Sequence, residues 1–196
     1  MTDTPNWFRM WAEANFRAVT MDETYLNRRS ENHILQLGAF AGHASEWIAT
    51  HLLSNQNSTL TDVDTWNGSA ELAHGGLDFA KVEQEYDERV APFSEKILKE
   101  KMSTSEFFAG DYVSERYDFI YIDADHTAIG VLEDAVASHR LLKVGGLLVF
   151  DDYTWTADDN SLYNSPKIAI DAFVKVYANR YETILVNAQV WLRKVA

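Results

Sequence analysis

Two apolar segments, each running directly into a pair of acids, constrain this chain more than any other feature. Ile120-Tyr121-Ile122 ends at Asp123 and Asp125, and Leu147–Phe150 ends at Asp151 and Asp152. A stretch of helical period separates them, closed by Lys143-Val144-Gly145-Gly146. Strand, helix, strand in that order is a βαβ unit, so the two strands run parallel and both acidic pairs emerge at one edge. In open α/β sheets the carboxyl edge is where ligands bind. Four carboxylates gathered there repel one another unless a cation, a proton or a substrate lies among them.

The remainder of the chain repeats the alternation. Residues 5–18 are aromatic-rich and helical in period, opened by Pro5 at a first-turn position. His33–Leu37 reads as the first strand, Gly38–Gly42 as the turn out of it, and Ala44–Leu53 as a helix. Ser58–Val63 is a second strand, residues 69–80 an excursion, and Lys81–Val90 a helix. A short third strand ends near Met102, and Thr104–Phe108 starts another helix. Helix 127–142 joins the acid-tipped strands, Pro166–Asn179 is helical, and Tyr181–Val186 with Val190–Lys194 makes a hairpin. Seven strands alternating with helices predict an α/β three-layer sandwich, mostly parallel, with one antiparallel pair at its end.

Composition narrows the partners. A formal charge of -13 over 196 residues repels phosphate backbones and anionic membranes, so neither nucleic acid nor membrane is expected. No apolar run approaches the ~20 residues that cross a bilayer. The N-terminus lacks the basic-then-apolar order of a signal peptide, and there are no cysteines, which fits a cytoplasmic protein.

Two further motifs point to a ligand. Gly38-Ala39-Phe40-Ala41-Gly42 follows a buried strand, where glycine allows a sharp turn and a close backbone approach, and the amides beyond it open a helix. A nicotinamide or flavin fold wants G-x-G-x-x-G, and this chain has G-x-x-x-G. Asp62 and Asp64 share one side of the second strand, with Asp64 nearer the edge where such folds hold ribose hydroxyls.

Gln36–Gly42 (QLGAFAG), Asp64–Ser69 (DTWNGS), Asp123–His126 (DADH), Asp151–Tyr153 (DDY) and the closing hairpin together resemble the class I S-adenosylmethionine-dependent methyltransferases. The likeness covers about residues 30–194 and is nearest to O-methyltransferases of the catechol, caffeoyl-CoA and macrocin types. It implies a Rossmann-like methyltransferase fold with residues 1–30 as a helical cap and 31–196 as the core of a single domain. It implies a small hydroxylated molecule as methyl acceptor, with a homodimer allowed. Gly38, Ala39, Phe40 and Gly42 would meet the methionine part of S-adenosylmethionine, Asp64 the ribose, and Thr65 and Trp66 the adenosine. Met102 and Ser103 would flank the adenine. Asp123, at the cofactor's edge, would join Asp151 and Asp152 in holding a divalent metal, most simply Mg²⁺. Two positions depart from the family: Gln36 stands where an acid is usual, and Ala44, followed by Ser45, where the catechol type has serine.

The acids also make chemical sense alone. Methyl transfer needs a deprotonated oxygen in line with the methyl carbon, and a chelated divalent cation lowers the hydroxyl's pKa and fixes its direction. Oxygen ligands without cysteine suit Mg²⁺, Ca²⁺ or Mn²⁺ rather than zinc. Asp125 or His126 is then the base; the competing roles are a helix cap for Asp125 and a bond to Asp134 for His126. The aromatics Trp7, Phe8, Trp11 and Phe16 fall near one helical face, either buried against the body or a dimer mate, or covering the substrate. His43, His51, His74 and His139 show no ligand spacing and read as surface. Other readings are a methyltransferase without metal, a nucleotide-binding oxidoreductase, and a degenerate methyltransferase fold acting as a binding module.

Overall fold

In the computed structural model, the described residues are 4–68, 75–110, 113–157 and 161–196. Ser69 and His74, with half of the expected 69–80 excursion, lie outside them. Seven strands form one sheet: β1 (His33–Leu37), β2 (Thr59–Asp64), β3 (Ile97–Lys101), β4 (Tyr117–Ile122), β5 (Leu142–Phe150), β6 (Tyr181–Val186) and β7 (Val190–Lys194). Their order is β3-β2-β1-β4-β5-β7-β6. The strands β1 to β5 pair in parallel, and β7 runs antiparallel to both β5 and β6. The chain starts at β1 and winds outward to β3, then returns to β4 beside β1. A crevice therefore opens at the carboxyl ends of β1 and β4, the switch point of such sheets.

Helices cover both faces. On one side lie α1 (Glu13–Thr20), α2 (His43–Leu52) and α3 (Phe79–Val90), packing Phe16, Trp47 and Tyr86 against Ile34, Leu60 and Phe119. On the other lie α4 (Thr104–Phe108), α5 (Ala128–Leu141) and α6 (Lys167–Val176), packing Phe107, Val131 and Phe173 against Leu37, Ile120 and Phe150. Alternate strand residues serve the two layers, as the two-residue period of a strand requires. Being apolar on both faces marks these as central parallel strands.

Helix α3 begins at Phe79, two residues before its expected start, α6 ends at Val176, three before its expected end, and two further boundaries differ in ways that bear on the site. Lys143–Gly146 does not close the helix; β5 already begins at Leu142, which pairs with Tyr117, and pairing resumes at Phe119 with Leu147. The residues between form a bulge in which Gly145 takes φ +90° and Lys143 binds both Asp118 oxygens at 2.9 Å. At the N-terminus Pro5 precedes the helix rather than opening it. A π-helical turn, Phe8–Ala12, leads into α1 and swings Trp7, Phe8 and Trp11 toward the crevice. Among the described residues no helix is long and apolar enough to cross a membrane.

Candidate active site

The crevice is a cavity of about 870 Å³, within the usual size range for small-molecule sites. Its centre is the meeting of β1 and β4. Gly38 leaves β1 at φ +85°, and a Cβ there would lie 1.9 Å from the Asp123 carbonyl oxygen, so only glycine lets the two strand ends touch. Of the four non-glycine residues with positive φ among the described residues, Phe40, Trp66 and Asp152 line this cavity. Such backbone costs of order 1–3 kcal/mol each and collects at functional sites.

On the β2 side, Asp64 organises the turn. Its Oδ2 accepts the Ala39 and Phe40 amides at 2.8 and 2.9 Å, and its Oδ1 accepts the Trp66 amide at 2.7 Å. A carboxylate offers about four acceptor sites, so roughly one remains for a ligand hydroxyl. Trp66 is buried and donates its indole N–H to the Phe40 carbonyl at 2.8 Å, bracing the same turn; Thr65 stands beside it on the cavity wall. Met102 and Ser103 also line the cavity, with the Ser103 hydroxyl committed to a capping box with Glu106 at the start of α4. Gln36 is buried under the turn. Its amide nitrogen donates to the Gly38 carbonyl at 2.9 Å, while its Oε1 has no hydrogen-bond partner among the described residues. Ser45 is fully buried beside Asp62 and does not stand in for a serine at Ala44.

On the β4 and β5 side the acids converge. Ile122 pairs with Phe150, so Asp123 and Asp151 leave adjacent strand ends, and the Asp151 amide bonds the Ile122 carbonyl at 3.0 Å. The expected metal set was Asp123, Asp151 and Asp152; the trio with ligand atoms gathered within 4.8 Å is instead Asp123, His126 and Asp152. His126 Nε2 lies 3.0 Å from Asp152 Oδ2 and 3.7 Å from Asp123 Oδ1, not against Asp134. Asp152 reaches it because its backbone adopts φ +56°, with its amide bonded to Asp151 Oδ1 at 2.8 Å.

Asp151 turns inward to Tyr121. The Tyr121 hydroxyl sits 2.9 Å from Asp123 Oδ2 and also contacts Asp151 Oδ2. One phenolic proton serves one of these contacts, so the other is a hydrogen bond only when a carboxyl is protonated. Burial, then the Asp123 and Asp152 charges, push the Asp151 pKa well above the usual range, which favours its protonated form. Burial raises Asp123 as well, opposed by His126.

Asp125, expected as a base, is spent on the helix start. Its Oδ1 accepts the Thr127 amide at 2.8 Å and its Oδ2 the Thr127 hydroxyl at 2.9 Å, while Thr127 itself caps α5. Asp125 thus braces the capping residue and does not itself cap the helix. Of the N-terminal aromatics, Phe16 is fully buried, while Trp7 stacks on Phe40 at 4.8 Å and Trp11 stays exposed at the mouth of the cavity. Three histidines read as surface are partly buried. His43 lines the cavity with its pKa lowered to about 4 by burial and then Arg89, His51 stacks on Trp47, and His139 bonds Tyr181. The partners of His43 and His139 come from other elements, so spacing along the chain carried no sign of them, whereas Trp47 lies one turn before His51 on the same helix.

A family described as a methyltransferase domain matches residues 35–153, from β1 through the acid pair after β5. The chain belongs to this family. No curated protein sequence matches it. Among solved structures, an O-methyltransferase from Bacillus cereus in complex with SAH superposes with a TM-score of 0.63 at 17% identity, covering 93% of this chain and 82% of that one. The O-methyltransferase TomG from Streptomyces achromogenes, in complex with SAM, gives 0.65 at 15% identity over 94% and 81%. The N-methyltransferase NodS from Bradyrhizobium japonicum gives 0.60 at 14% over 97% and 98%. At these identities the likeness is one of fold: a Rossmann-like methyltransferase domain whose relatives methylate different atoms.

Proposed function

We propose that this methyltransferase domain transfers a methyl group from S-adenosylmethionine to a hydroxyl of a small molecule, with a divalent cation held by Asp123, His126 and Asp152. The observation that carries it is the convergence of that trio, beside a glycine turn, on one cavity.

Three features support the donor. The Gly38 turn lines the cavity and lets a ligand approach backbone closely. The buried, unpartnered Gln36 Oε1 is an acceptor suited to the donor's ammonium, taking the place of the usual acid. Asp64 keeps an acceptor site for a ribose hydroxyl. The donor supplies an electrophilic methyl: the acceptor oxygen bonds to that carbon as the S–C bond breaks, the electron pair stays on sulfur, and the acceptor's proton passes to solvent. The protein's part is to hold the acceptor in line and to exclude water around the sulfonium.

The trio also suits a hard cation. Two carboxylates supply negative oxygen, and Nε2 is the ring nitrogen turned toward them, whereas Nδ1 is buried. A bound cation would lower the pKa of a coordinated hydroxyl. Asp151 and Tyr121 do not ligate in this reading; Tyr121 holds the Asp123 carboxylate and Asp151 the Asp152 backbone amide. A metal-free reading, in which Asp152 orients His126 as the base, is favoured by their 3.0 Å contact. It requires Nδ1 to take the proton, and that nitrogen faces the interior.

Calorimetry with S-adenosylhomocysteine tests the donor, and titration with Mn²⁺ tests the trio. Micromolar binding of the first and chelator-reversible binding of the second are expected. A protein that binds S-adenosylhomocysteine and methylates catechols or sugars equally well in excess chelator would refute the metal.

A further inference from the structure

At the β4 and β5 end the cavity walls are aromatic and acidic, with no basic side chain of lysine or arginine to balance them. Trp155 returns over the acid trio because its amide bonds the Asp152 carbonyl at 3.0 Å, and its indole lies 5.1 Å from the His126 ring. Trp11 lines the same cavity and keeps 63% of its surface exposed, so much of its ring is uncovered at the mouth. Seven carboxyl groups line the cavity, and Asp123, Asp125, Asp151 and Asp152 are those at the β4 and β5 end. Among the described residues no lysine or arginine lines it, and residues 1–3, 69–74, 111–112 and 158–160 include none. A divalent cation and a singly cationic donor offset three charges, and protonation of Asp134 and Asp151, which burial favours, removes two more. The loaded cavity still carries negative charge, which repels anions and attracts cations.

We propose that the methyl acceptor is a hydroxylated molecule bearing an ammonium group, held through that positive charge by Trp155, Trp11 and the uncompensated carboxylates. The inference rests on the methyl-transfer reading above and narrows its acceptor. An ammonium over an indole face is attracted by the ring quadrupole, by about 0.5–2 kcal/mol depending on how far it is desolvated, and tryptophan is the strongest aromatic partner. With the Trp155 and His126 rings 5.1 Å apart, a charge over the indole stands within a short alkyl arm of a hydroxyl at the trio. Phosphorylated, carboxylated and nucleotide-linked acceptors meet the same field with the opposite sign. They also lack the arginine or lysine that ordinarily pairs such anions. A neutral sugar draws no benefit from the charge.

The experiment measures three catechol-ring ligands by calorimetry in Mg²⁺ buffer, with and without S-adenosylhomocysteine. They differ in one arm, which is aminoethyl, hydroxyethyl or carboxymethyl. In the wild-type protein the aminoethyl ligand should bind about tenfold tighter than the hydroxyethyl one, with the carboxymethyl ligand weakest. Trp155→Leu should shrink the first ratio to about threefold or less, and Trp155→Phe should retain part of it. Equal affinities for the aminoethyl and hydroxyethyl arms, or tightest binding of the carboxymethyl arm, overturn the proposal. So does a Trp155→Leu variant that weakens all three together with their ratios intact, the mark of a ring that only packs its loop. Should that variant fail to fold, the wild-type order decides alone. Failure of all three to bind beside bound S-adenosylhomocysteine also overturns it, because the charged arm should be held whatever the ring. Absent S-adenosylhomocysteine binding with the order intact refutes the donor reading alone, whereas bound S-adenosylhomocysteine with the order lost refutes only this inference.

Discussion

Gly38 and Asp123 meet backbone against backbone, closely enough that a Cβ on the glycine would stand 1.9 Å from the aspartate's carbonyl oxygen. Both the glycine turn and the acid cluster hang from this contact, since one follows β1 and the other follows β4. Gly38→Ala combines the clash with a φ of +85° and should cost about 2 kcal/mol or more. Urea unfolding checks it, and a loss below about 0.5 kcal/mol would show that the strand ends separate freely.

Asp152 and Asp151 are neighbours with opposite duties. Asp152→Ala or His126→Ala should weaken Mn²⁺ binding about tenfold or more while S-adenosylhomocysteine affinity stays within a few-fold. Asp151→Asn, which keeps the contact to Tyr121, should weaken Mn²⁺ less than Asp152→Ala does. Calorimetric titration of the three variants decides, and the reverse ranking would return Asp151 to the ligand set.

Asp62 lies fully buried in β2, accepting the Tyr86 hydroxyl at 2.8 Å, and burial pushes its pKa up to about 7. A carboxyl raised in the folded state stabilises fully below its unfolded pKa of about 4 and loses that contribution as pH climbs through the folded value. Between those values the folded chain holds a proton that the unfolded chain has released. Asp62→Asn should therefore gain stability relative to wild type by several kcal/mol between pH 4 and pH 8. Denaturation at four pH values tests this, and a pH-independent difference contradicts it.

Phe16 joins the cap to the sheet. Its ring contacts Phe8, Trp47, Phe119, Tyr121 and Trp191 with centroids 4.9 to 5.7 Å away. Phe16→Ala should cost about 3–5 kcal/mol and loosen the turn that carries Trp7 and Trp11. Thermal unfolding measures the first effect and tryptophan fluorescence the second; a variant as stable as wild type would mean the cap packs without this ring.

Much of the scaffold was readable because its signals are local. The hairpin strands Tyr181–Val186 and Val190–Lys194 emerged with the expected bounds, since a polar Asn187-Ala188-Gln189 break separates two apolar-alternating runs. The βαβ argument brought Asp123 and Asp151 to adjacent strand ends, because handedness and parallel pairing leave no other outcome. Lys143–Gly146 misled because two glycines after a helical run look like a stop, and only the partner strand reveals the bulge. His43 escaped notice because its cavity is made by other elements.

The amino-acid order by itself determined the layer architecture, the strand succession and the edge at which the acids gather, since periodicity, turn chemistry and chain handedness act between near neighbours. Tertiary structure alone decided which atoms face one another there. It turned Asp151 onto the buried Tyr121 hydroxyl, raised His126 into the trio, tied Asp64 to the turn amides and left Asp134 with an unmet oxygen. Those choices depend on side-chain rotamers, burial and the charges of elements distant in sequence, and such interactions exist only once the sheet has closed around them.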